Sequence, residues 1–86
     1  MTYKVLLERR VEKELRSLPR QALRRIDLRL LQLAEDPTPR GAVKLRGRET
    51  EGWRLRIGDY RILYTVDDQR SLVRVYRIKH RREAYL

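Results

Sequence analysis

The sequence predicts an α+β fold in a single domain spanning residues 1–86: an N-terminal strand, a two-helix hairpin, then a three- to four-stranded, mostly antiparallel sheet. Three observations carry that expectation. The apolar period changes from two to helical spacing at Glu8. A run of breakers, Asp36-Pro37-Thr38-Pro39-Arg40-Gly41, separates a helical half from an extended half. Beyond it, "WRLRI" (53–57) and "YRILYTV" (60–66) alternate across a Gly58-Asp59 turn.

The elements follow in order. Tyr3, Val5 and Leu7 alternate in "TYKVLL" and predict a first strand over residues 2–7. Val11, Leu15 and Leu18 then recur at helical spacing, and acidic Glu8, Glu12 and Glu14 sit towards the start of that helix. Pro19 closes it or opens the next helix, because proline is tolerated in a first turn. Residues 20–35 carry Leu23, Ile26, Leu30, Leu33 and Ala34 on one side, with Arg20, Arg24, Arg25 and Arg29 on the other. Residues 42–46 are a short extended piece or a loop, and Gly47 to Gly52 is polar and turns. In 60–66, Tyr60, Ile62, Tyr64 and Val66 share one face, and Arg61, Leu63 and Thr65 share the other. Residues 71–78, "SLVRVYRI", are apolar at both parities, as in a strand covered on both sides.

Composition narrows the function. The chain has 22 Lys+Arg against 12 Asp+Glu, a net charge of +10, and 18 of the cations are arginine. Residues 1–36 hold 9 basic and 6 acidic side chains (net +3), and residues 37–86 hold 13 and 6 (net +7). A basic half on a basic chain points to a polyanion, nucleic acid first. The absence of cysteine removes disulfides and thiolate metal sites. No apolar run approaches the roughly 18 residues of a membrane span, no signal peptide is evident, and no lipidation motif stands out. A soluble, cytoplasmic protein with no membrane partner is the expectation.

Period-two alternation sets the candidate site. If Trp53, Leu55 and Ile57 face the helices, Arg54 and Arg56 face away, and Arg61 joins them when Tyr60, Ile62 and Tyr64 enter the core. Such a cationic face suits phosphate; arginines placed there for solubility give the same pattern. His80 is the one histidine. It is either a general acid or base working near neutral pH, or a solvated tail residue. Tyr85 is either a catalyst or a hydrophobic plug. There is no metal-ligand cluster, phosphate-binding glycine loop or Ser/His/Asp set, so phosphodiester cleavage here is expected to be metal-free and to need no cofactor. RNA permits it: the 2′-hydroxyl attacks the adjacent phosphate and the 5′-oxygen leaves. Arginines can stabilise the extra charge on phosphorus but are poor bases. Proton transfer falls to His80, Tyr85 or a carboxylate such as Glu83.

The segments "YKVLLERRVEKELRSLP", "LAEDPTPRG", "VKLRG", "WRLRIGDYRILYTVDD" and "KHRREAYL" together resemble the RelE branch of the RelE/ParE superfamily of toxins from type II toxin–antitoxin systems. "W-R-[IL]-R-[IV]-G-[DE]-Y-R" followed by "H-R-R-x-x-Y" is the most specific part. The resemblance implies a RelE-like microbial RNase fold and a ribosome-dependent mRNA endonuclease that cuts message in the ribosomal A site. It implies catalytic roles for Arg54, Arg56, Arg61, Arg81 and Tyr85, with Arg82 an alternative to Arg81 and His80 sharing the proton work. Lys44, Arg46, Arg48, Arg82 and the helical Arg20, Arg24 and Arg25 are the candidates for RNA or ribosome contact. Lysines stand at the positions of Arg54 and Arg56 in the best-known relative, one of them proposed as general base, and arginine fits that role poorly. The implied partners are a cognate antitoxin with an acidic segment, the ribosome and its mRNA, and operator DNA only through the antitoxin. Two other readings share these features: a ParE-like gyrase inhibitor that cleaves nothing, and a plain RNA- or DNA-binding module.

Overall fold

The computed structural model describes residues 2–46 and 51–80. Arg48, Arg81, Arg82, Glu83 and Tyr85, singled out from the sequence, lie outside the described residues.

Strand β1 (Lys4–Leu7) leads through Glu8 into helix α1 (Arg9–Arg16). The amide of Glu8 still donates to the carbonyl of Val75, 3.0 Å away, so the chain leaves the sheet and enters the helix within one residue. Pro19, extended at φ −57 and ψ 149, opens helix α2 (Arg20–Glu35), and its carbonyl accepts from Leu23 N–H. Strands β2 (Val43–Lys44), β3 (Trp53–Ile57), β4 (Tyr60–Asp67) and β5 (Leu72–His80) follow. They form one five-stranded sheet with β1, in the order β1-β5-β4-β3-β2. Only the β1–β5 pair is parallel. The α+β expectation holds, with five strands among the described residues, the brief 42–46 piece supplying the fifth.

Both helices bury one stripe on one face of this sheet. Val11 and Leu15 from α1, and Ile26, Leu30 and Leu33 from α2, meet Leu55, Ile57, Ile62, Tyr64, Val73, Val75 and Ile78. Each such aliphatic side chain contributes roughly 1.5–3 kcal/mol of transfer free energy. The breaker segment is tied down at several points. Thr38 N–H donates to Asp36 Oδ1, Gly41 takes φ +97, and the hydroxyl of buried Tyr64 donates to Pro37 O at 2.7 Å.

Burial pushes the Tyr64 phenol up to about 12, with Asp36 adding to the rise and Arg29 opposing it. The folded phenol therefore keeps its proton through a range where an unfolded tyrosine, near 10, has lost it. Stability is unaffected below pH 10 and falls as pH rises from about 10 to about 12. Tyr64→Phe leaves the Pro37 carbonyl without this donor, and is expected to cost about 1 kcal/mol at neutral pH while flattening the alkaline loss. Urea melts of both proteins at pH 7, 10 and 11 check this; parallel losses in the two would exclude Tyr64 as the titrating group.

Strand β5 departs from the sequence expectation in an informative way. Leu63 pairs with Arg77, but the next residue, Tyr64, pairs with Val75. Tyr76 is thus an extra residue on β5, a β-bulge. Its hydroxyl reaches Glu51 O at 2.7 Å. The core residues of β5 are Val73, Val75 and then Ile78, spaced by two and then by three. Apolar residues occur at both parities because the strand changes phase, not because both its faces are covered. Past Leu7, β1 ends and the edge of β5 is open. There Glu14 of α1 takes over: Oε1 accepts from Ile78 N–H and Oε2 from Arg77 Nε, each at 3.0 Å. One carboxylate thereby fastens α1 to the rephased end of β5.

Candidate functional site

A two-residue turn fixes the register of the site. Ile57 pairs with Tyr60, leaving Gly58 and Asp59 as the hairpin loop. Gly58 has φ +57 and Asp59 does not have positive φ, the sign pattern of a type II′ turn. That register sets Arg56 directly across from Arg61, and Arg61 in turn lies across from Lys79 on β5. Arg54 is two residues from Arg56, on the same side, and diagonal to Arg61. The helix-facing neighbours Leu55, Ile57, Ile62 and Ile78 are buried, so these four cations share the sheet face away from the helices.

Adjacent strands place facing Cβ atoms about 4.5–5.5 Å apart, and like charges directly opposite one another are destabilising. The row Arg56–Arg61–Lys79 therefore sets like charges side by side. Leu63, on the same face, is only 7% exposed yet stands apart from the helix-side core. Arg54 and Arg77 flank it across the strands, and the stems of such side chains can lie along apolar surface while their heads reach water.

Other sequence candidates are placed differently. His80 has the parity of Ile78, and its ring meets that of its cross-strand partner Tyr60 edge-on, with centroids 5.0 Å apart and planes at 81°. It faces the helix side and is not brought to the cationic row. Without the bulge at Tyr76 the phase would be reversed, with His80 outward and Lys79 inward. The strand expected from the sequence ends at Ile78, so Lys79 was not among the candidates, although the spacing Val73, Val75, Ile78 carries the signal. Lys44 is opposite Trp53, on the helix side of the edge strand, and lines a shallow groove with Trp53, Thr65 and Asp67. Arg46 is exposed beyond that strand. Arg20, Arg24 and Arg25 are exposed on α2, in the other layer. Of these, Arg25 approaches the site from behind: its Nη1 lies 3.2 Å from where a Cβ on Gly58 would stand. Among the described residues, no group of three His, Asp or Glu side chains could hold a metal ion, and no helix is long and apolar enough to cross a membrane.

A helical hairpin on one face of a small sheet, with an arginine cluster on the other, defines a basic α+β protein with a cationic sheet face. Comparison with known proteins gives the family. ParE toxin of type II toxin–antitoxin systems (parDE) matches residues 5–85. The RelE of an archaeal RelE–RelB complex from Pyrococcus horikoshii is 34% identical, superposes with a TM-score of 0.84, and aligns over 94% of this chain and 97% of its own. A chain of the Mycobacterium tuberculosis toxin–antitoxin complex RelBE2 is 31% identical, with a TM-score of 0.82 over 94% and 93% of the two chains. A chain of the intact Escherichia coli RelBE complex is 25% identical, with a TM-score of 0.77 over 91% and 95%. No curated protein sequence matches. The chain belongs to the RelE/ParE superfamily of toxins of type II toxin–antitoxin systems, and its structure is RelE-like.

Proposed function

We propose that this toxin is a ribosome-dependent, metal-independent mRNA endonuclease that cuts message in the A site and so inhibits translation. The observation that carries the reading is the register of Arg54, Arg56 and Arg61 on one open sheet face of a RelE-like fold. In the reaction the 2′-oxygen attacks the adjacent phosphorus, and the bond to the 5′-oxygen breaks. The products are a 2′,3′-cyclic phosphate and a 5′-hydroxyl end; one proton leaves the 2′-hydroxyl and one reaches the departing oxygen. Arg56 and Arg61, facing each other across the hairpin, clamp the non-bridging oxygens as charge accumulates there, and Arg54 steers the strand in.

The arginines cannot accept the 2′-hydroxyl proton. Under this reading, proton transfer falls to Tyr85 or a carboxylate such as Glu83, while the RelE resemblance points to Arg81, with Arg82 as alternative, as a further cation of the site. The helix-side position of His80 argues against its sharing that work. Arg46, Arg48 and the α2 arginines are left for ribosomal RNA. The cognate partner is an antitoxin whose acidic segment complements the +10 charge and through which operator DNA is bound. RelE-like neighbours of known structure include complexes with RelB antitoxins. The setting is the cytoplasm, where ribosomes are.

The ParE description of the matching family favours a second reading, gyrase inhibition without cleavage. Toeprinting of translating ribosomes with purified toxin separates the two. New message ends at A-site codons support cleavage; intact message together with inhibited gyrase reverses the assignment.

A further inference from the structure

We propose that Lys79 is a phosphate-binding residue of the cationic row, holding the backbone phosphate next to the scissile one. The inference rests on the RNA-cleavage reading and adds a residue to its site. Three positions in direct register, Arg56, Arg61 and Lys79, run across β3, β4 and β5. Neighbouring strands are about 4.8 Å apart, so the row is about 10 Å long. That exceeds what a single phosphate can bridge, and it matches a strand of RNA laid across the sheet with successive phosphates in contact.

The chemistry divides along the row. The two guanidiniums form planar forks that can engage one phosphate in fixed geometry. An ammonium group is a compact point charge with rotatable donors, suited to a phosphate that needs holding but no orienting. Lys79 owes its place to the Tyr76 bulge, which turns it outward while Ile78, 4% exposed, and His80 face the helices. Lys79 and Arg61 present like charge on the same face in direct register, and a polyanion laid across the row would meet both.

The test is binding of a non-cleavable 2′-O-methyl oligoribonucleotide by wild type, Lys79→Ala and Lys79→Arg over a series of salt concentrations. It is combined with ribosome-dependent cleavage, and thermal melts confirm folding. One phosphate contact on a single strand contributes about 0.7 to the slope of log K against log salt. Lys79→Ala should make the slope shallower by about that amount, Lys79→Arg should restore it, and the loss of cleavage should lie in KM more than in kcat. An unchanged slope in Lys79→Ala, failure of arginine to restore it, or a wild type that does not bind the oligonucleotide overturns the proposal. A wild type that binds with the expected slope but cuts nothing on ribosomes overturns the cleavage reading and leaves Lys79 as a phosphate contact.

Discussion

Arg61→Ala is expected to reduce message cleavage roughly 100-fold or more while leaving the protein folded. The two halves of that expectation come from the same geometry. Arg61 sits between Arg56 and Lys79 in a direct cross-strand row, so it is the residue through which the cations on β3 and β5 are joined into one surface. Removing a preorganised donor from a site where negative charge develops typically costs a factor of 10² to 10³. The Arg61 side chain points away from the core formed by Ile62 and Tyr64, so truncation opens no cavity among the helices. Growth inhibition in cells, cleavage on purified ribosomes and a thermal melt together check this. A variant that is inactive because it has unfolded would assign Arg61 to the fold, and a folded variant with full activity would remove the arginine clamp from the mechanism.

The legible and illegible parts of this protein divide along a physical line. Period-two alternation gave the outward direction of Arg54, Arg56 and Arg61 because β3 and the first part of β4 are regular and joined by a two-residue turn. Helical periodicity gave the buried stripe Ile26, Leu30 and Leu33 for the same reason: one face is covered, so burial records the period. Strand order was not legible. The parallel pairing of β1 with β5 joins residues nearly 70 positions apart, and local sequence does not encode that closure. The orientation of Lys79 and His80 was not legible, and the reason lies at a single point. Tyr76 interrupts the period, and beyond it every inward residue becomes an outward one. The change from Val73 and Val75 to Ile78 marks the bulge once the core is known; without it, the same letters describe a strand buried on both faces.

That single point also yields a sharp expectation for the fold. Deleting Tyr76 outright should leave a folded protein with Lys79 still facing outward. In the deletion, β5 runs from Val75 straight to Arg77 with unbroken alternation. Val75 faces the helices, Arg77 faces away, Ile78 returns to the core and Lys79 points outward, which is the native arrangement. The pairs from Arg77 and Leu63 to His80 and Tyr60 are kept, and the pair of Val75 with Tyr64 continues them without a bulge. Ile78 N–H and Arg77 keep their place beside Glu14, the contact that fastens α1 to this end of the sheet. The deletion gives up the hydrogen bond from the Tyr76 hydroxyl to Glu51 O, expected at about 1 kcal/mol, together with the extra local twist of the bulge. Tyr76→Ala gives up the same hydrogen bond and keeps the extra backbone unit. Circular dichroism and urea melts of the two variants decide the matter, and both are expected to fold with similar, modest losses. A deletion that unfolds while Tyr76→Ala folds would show that the core needs the bend of the bulge and not only the pairing on either side of it. A point variant that collapses would assign the strand's hold to the tyrosine side chain.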